Sequence, residues 1–157
     1  MTMKSLILFA CLTLLPIDHL LAATAPPLPK GYQNWKKSVR KVDDNKKSIF
    51  YGIHYIYADS KAMQGYRANN RFPEGSRIII EHFNIKESQN GPVESSKNMV
   101  VLMQKDKRRI TTGGWLYAGY TAQGKPSGLD PVKNCFECHQ KDAAGRDYVF
   151  SGIADFK

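Results

Sequence analysis

The chain reads as a single α+β domain, a mainly antiparallel β-sheet with a few short helices. Two observations carry that reading. Segments rich in Ile, Val, Tyr and Phe recur at 49–58, 77–83, 99–104 and 111–120, with the alternation of strands. Short stretches holding Gly, Pro, Asn or Asp separate them, which suits antiparallel neighbours rather than long crossovers. No internal repeat or low-complexity tract appears.

Taken in order, the chain begins with Lys4 before an apolar run from Leu6 to Leu15, then Leu21-Ala22-Ala23-Thr24-Ala25. This is the pattern of a secretory signal peptide, spanning about residues 1–25, with cleavage after Ala25 or Ala23. Pro16, Asp18 and His19 interrupt the apolar run and argue against a permanent membrane span. Cys11, in Leu8-Phe9-Ala10-Cys11, has too little hydrophobic sequence before it to be a lipid-attachment site. Residues 26–157 then form one domain with one core, and the expected location is periplasmic. The net charge of +9 survives cleavage, because Lys4 and Asp18 leave together. Such a surface favours acidic partners or membrane faces. Nucleic acid is not expected, since the basic residues are scattered and the chain is exported.

Pro26-Pro27-Leu28-Pro29 predicts an extended leader. From Asn34 to Val42, Trp35, Val39 and Val42 recur at i, i+4 and i+7 among Lys36, Lys37, Arg40 and Lys41, which predicts an amphipathic helix. Ile49 to Ala58 predicts a strand. Asp59 to Asn69 predicts a short helix capped by Asp59 or Ser60, and Asn70 to Ser76 a turn. Arg77 to Phe83 is the clearest strand, with Arg77, Ile79, Glu81 and Phe83 on one face and Ile78, Ile80 and His82 on the other. Ser88 to Ser96 predicts an exposed loop, Met99 to Gln104 a strand, and Lys105 to Arg109 a basic connection or exposed edge. Thr111 to Tyr120 predicts a strand entered through Gly113-Gly114, and Gly124 to Pro131 a loop.

That loop leads into Cys135-Phe136-Glu137-Cys138-His139. Two cysteines two residues apart with histidine after the second match covalent attachment of one c-type haem. Each thiol can add across a haem vinyl group, and the adjacent imidazole is an axial iron ligand. A zinc site would need two further ligands, for which only His54 and His82 are at hand, and a disulfide between Cys135 and Cys138 is the other alternative. Export strengthens the haem reading, because thioether bonds prevent loss of the cofactor. Small helical electron-transfer cytochromes carry this motif near the N-terminus with a methionine ligand downstream. Here no methionine follows His139; Met63, Met99 and Met103 all lie upstream, and Met99 and Met103 suit packing in a strand. An open distal iron position is therefore favoured, with a sixth ligand from His54 or His82 the alternative. The four-helix cytochromes c-prime share the C-terminal motif, but their fold needs four long helices.

Phe72-Pro73-Glu74-Gly75-Ser76 before a strand, Met99 to Lys105, Gly114-Trp115, Cys135 to His139 and Asp147-Tyr148-Val149-Phe150, in that order, resemble the cytochrome P-460 family. The resemblance spans most of the mature chain. It implies a predominantly β-sheet periplasmic haem protein, usually a homodimer, and two functions. One branch oxidises hydroxylamine at a haem cross-linked to a lysine, with a carboxylate assisting proton transfer. The c-prime-beta branch binds nitric oxide and similar gases in an aromatic-capped distal pocket. A lysine on a pocket-facing strand should separate them. None lies between Arg77 and Phe83, although Lys86, Lys97 or Lys105 could approach from nearby. On this resemblance Glu81 is the candidate proton-transfer residue and Phe83 the distal cap, with Arg77 a further distal contact. Tyr148 or Asp147 is the candidate partner for His139. The expected function is binding of nitric oxide or a related small nitrogen ligand. Hydroxylamine oxidation, or electron transfer with a redox partner protein, is the alternative.

Overall fold

Four strands, β3 (Gly52–Ala58), β4 (Arg77–Lys86), β5 (Val93–Lys105) and β6 (Trp115–Thr121), form an antiparallel meander. Two short segments, β1 (Lys36–Lys37) and β2 (Lys41–Asp43), pair with the outer edge of β3 and complete a six-stranded sheet. The structure is a computed structural model and describes residues 25–157, so the expected signal peptide lies, except for Ala25, outside the described residues. Among the described residues no helix is long and apolar enough to cross a membrane. The architecture is the α+β arrangement that strand alternation and short turns predict.

Registers assign each side chain to a face. Ile56 opposes Ile80, which opposes Val101, which opposes Gly119, all on the first face. Tyr57 opposes Ile79, then Leu102 and Ala118, on the second. Both faces are covered, which explains the near-continuous apolar run of β4. The first carries α1 (Ser60–Arg67), the motif helix and the C-terminal segment over a core containing Ile78, Met103, Trp115 and Tyr117. The second is covered by the leader and a 3-10 turn at Tyr32–Asn34, whose Tyr32 packs over Ile79, Val100 and Leu102. Tyr120 Oη donates to Pro26 O at 2.6 Å and ties the leader down.

The predicted helix α1 forms, with the Asp59 side chain accepting from Ala62 N at 2.8 Å as its N-cap. The helix predicted over 34–42 does not form. The edge of β3 needs hydrogen-bond partners, and this segment supplies them: Ser38 N donates to Ile56 O at 2.8 Å and Ile56 N donates to Ser38 Oγ at 3.0 Å. Val39 and Val42, which the helical reading would bury, are 46% and 45% exposed. The predicted loop at 88–96 is also shorter, because β5 begins at Val93. Its polar start pairs with the end of β4 past irregular register at His82, Phe83 and Ile85, as a solvated hairpin arm whose composition resembles a loop.

Candidate functional site

Local sequence starts the motif helix. The Asp130 carboxylate accepts from Val132 N at 2.8 Å and Lys133 N at 3.0 Å, and those bonds hold its carboxyl below the usual range. Pro131 is suited to a first turn, where its missing N–H costs nothing. A π-helical turn at Val132–Phe136 runs directly into α2 (Glu137–Ala143). Helical spacing of three and four residues therefore brings Cys135, Cys138 and His139 to one side. Cys135 and Cys138 are not joined in a disulfide. Cys135 is buried, and burial with the Asp130 charge pushes its thiol up to about 11. Cys138 is exposed. Phe136 anchors the helix against Tyr117 and Tyr148, with ring centroids 6.2 and 5.6 Å away.

His139 lies beside Tyr117 at 5.1 Å and Phe150 at 4.8 Å between centroids. Its Nδ1 is 2.6 Å from Tyr148 O. A carbonyl oxygen only accepts, so Nδ1 carries the proton and Nε2 keeps its lone pair for a metal. Burial holds this imidazole below its ordinary pKa against the opposing effect of that bond, which favours the neutral ligand form. The expected link between Tyr148 and His139 is thus present, but through the backbone carbonyl, which no side-chain pattern reveals.

Whether these residues fit a haem is tested by polar atoms left without partners. Among the described residues, three buried side-chain atoms lack one: Tyr117 Oη, His54 Nδ1 and His82 Nδ1. By register all three belong to the first face, where the motif helix packs. His54 and His82 are directly opposed. His82 is 1% exposed and donates from Nε2 to Tyr51 O at 3.1 Å, which leaves Nδ1 bare. Burial and then the His82 charge lower the His54 pKa. Exposed Phe150, packed on the His139 ring, and exposed Val132, in the turn that carries Cys135, offer apolar surface to a flat hydrophobic group. Two thiols, a neutral imidazole with free Nε2 and unpaired polar atoms on an apolar face fit a c-type haem. For zinc, the described residues gather no group of three His, Cys, Asp or Glu side chains.

The structure does not gather Glu81, Phe83 and Arg77, the expected distal residues, around His139. Alternation places Glu81 and Phe83 on the second face, behind the sheet. Glu81 is 5% exposed and accepts from Tyr32 Oη at 2.6 Å, Tyr57 Oη at 3.0 Å and Lys97 Nζ at 2.5 Å. Burial raises its pKa, but the hydrogen bonds from Lys97, Tyr32 and Tyr57 and the Lys97 charge outweigh that and leave it below the ordinary range. Phe83 packs on Tyr55 with centroids 6.0 Å apart. Arg77 donates from Nε to Asp59 Oδ2 at 3.0 Å and lies over Trp35 at 4.9 Å. The alternation along Arg77 to Phe83 is as the sequence predicts, and the side chains that face the motif helix are the other set. The first face of β4 carries Ile78, Ile80 and His82, opposite Met103, Val101 and Met99. Tyr117, beside His139, is a site residue that the sequence signals only by its spacing of two from Trp115 in the same strand.

The lysines follow the same division. Lys97 is bound to Glu81 behind the sheet, and exposed Lys86 ends β4. Lys105 shares the first face but is ion-paired with Asp147. A family model described as cytochrome P460 matches residues 29–151, from the leader through the motif helix to the C-terminal segment. Comparison with curated proteins finds no match.

Proposed function

The chain belongs to the cytochrome P460 family and is a haem-binding cytochrome, and from that premise we propose that it holds one covalent haem c and binds nitric oxide or a related small nitrogen ligand in the periplasm. Cys135 and Cys138 supply the thioether sulfurs and His139 Nε2 the axial nitrogen. When bound, the haem would supply an iron able to take the small nitrogen ligand. Around it the protein excludes water with Ile80 and Val101 and holds the imidazole through Tyr148 O. Export by the expected signal peptide and the homodimer common in the family belong to the same reading.

One observation carries the choice of ligand binding over hydroxylamine oxidation. The first face of β4 presents Ile78, Ile80 and His82 and no lysine, and Lys105 on the same face of β5 is held by Asp147. Mass spectrometry of the haem peptide tests this: attachment through two thioethers alone is expected, and an additional lysine bond would establish the enzymatic alternative. A second reading, electron transfer through a six-coordinate iron to a redox partner, is supported by the unpaired Nδ1 atoms of His54 and His82 on the same face. The ferrous absorption spectrum, with and without nitric oxide, separates the two.

A further inference from the structure

Behind the proximal histidine, Asp147 collects hydrogen bonds from three separate parts of the chain. Its Oδ1 accepts from Lys105 Nζ at 2.5 Å and from Trp115 Nε1 at 3.3 Å. Its Oδ2 accepts from Phe72 N at 3.3 Å, and its backbone oxygen accepts from Trp115 Nε1 at 2.9 Å. Trp115 is fully buried, and Lys105 Nζ lies 4.9 Å from its ring centroid. The Lys105 and Asp147 side chains are only 17% and 22% exposed, so the charges are poorly solvated and depend on each other.

The backbone at this point explains the need for such a holder. Asp147 and Tyr148 have φ of +50° and +60°, two successive non-glycine residues in the left-handed region. L residues rarely adopt that conformation, and it persists only where surrounding contacts determine it. Here it aims Tyr148 O at His139 Nδ1. The Tyr148 ring is seated from the other side, against Gly113, where a Cβ would come within 2.4 Å of it.

Resting on the haem reading above, we propose that Lys105 and Trp115, acting through Asp147, are positioning residues for the proximal iron ligand. They hold the Asp147–Tyr148 turn so that the Tyr148 carbonyl keeps the His139 proton on Nδ1 and the ring in one orientation. Without the Lys105 charge, the Asp147 carboxylate turns toward solvent, the turn relaxes and the carbonyl leaves Nδ1. His139 then loses its fixed tautomer, and Nε2, which must be bare to bind iron, takes the proton in part of the population.

The test uses the full chain, haem-loaded and haem-free, with Lys105→Met, Asp147→Asn and Lys105→Arg. A control, Lys41→Met, breaks the Lys41–Asp155 pair at 2.7 Å, which also holds the C-terminal segment but does not touch the turn. In the ferrous haem-loaded protein, Lys105→Met and Asp147→Asn lower the iron–imidazole stretching frequency. In the haem-free chain they speed exchange of the His139 Nδ1 proton by about tenfold, the scale of one hydrogen bond. Lys105→Arg restores both values, and Lys41→Met leaves both at wild type while lowering the melting temperature. Wild-type frequency and exchange in Lys105→Met and Asp147→Asn would overturn the proposal. Should Lys105→Met fail to fold, the near-isosteric Asp147→Asn decides alone. If the purified wild type carries no haem, the functional reading fails while the haem-free exchange measurement still decides this one.

Discussion

Glu81→Gln separates the two faces of the sheet. The wild-type carboxylate accepts three hydrogen bonds, from Tyr32, Tyr57 and Lys97, at a site 5% exposed. A neutral amide of the same shape turns charge-assisted bonds into ordinary ones, a loss of about 1 kcal/mol for each. The Lys97 side chain is 30% exposed, so solvent screening discounts its share. The expected cost is about 2–3 kcal/mol, read in urea as a lower midpoint at unchanged slope, or as a melting temperature lower by roughly 8 °C. The pH dependence has a definite sign. Glu81 has a folded pKa below the ordinary value of 4.5, so its contribution is full above that value and is lost as pH falls through the folded pKa. The gap between wild type and Glu81→Gln therefore narrows below about pH 4.5. The ferrous and ligand-bound spectra stay at wild type, because the cluster lies behind the sheet. Unchanged stability with an altered haem spectrum would refute the reasoning and return Glu81 to the iron side.

Three other substitutions probe how neighbouring elements are held. Asp59→Ala removes the α1 cap and the acceptor for Arg77 N and Nε, and should cost about 1–2 kcal/mol in thermal unfolding without moving the haem spectrum. Gly113→Ala places a methyl group against the Tyr148 ring at a residue with φ +65°, and should cost about 1–3 kcal/mol and disturb the proximal spectrum. Gly145→Ala, in open space at ordinary φ, should melt within about 0.5 kcal/mol of wild type.

How much of this was legible in the sequence differs by element. Strand alternation at Arg77–Phe83 gave the correct partition of side chains, because period two is a local property of the backbone. It did not say which face meets the motif helix, since both faces of β4 are buried and a both-sided strand carries no polar side to orient it. The segment at 34–42 had helical spacing by coincidence. Its conformation is decided by the edge of β3, some twenty residues away, and by Ser38 bonding Ile56. The motif Cys135, Cys138 and His139 was readable because haem attachment, the chemistry it is proposed to serve, demands a fixed local spacing. The polar partners behind them were not. Asp147 is ordered by Lys105, Trp115 and Phe72, which come together only on folding, and the group that touches His139 is a carbonyl with no identity in the sequence.

The proposed open iron site is tested most directly by the absorption spectrum of the ferrous haem-loaded protein before and after addition of nitric oxide. The proposed function predicts a five-coordinate spectrum that changes on adding the ligand. A six-coordinate spectrum that nitric oxide leaves unchanged would contradict it, and would assign the first-face histidines to the iron.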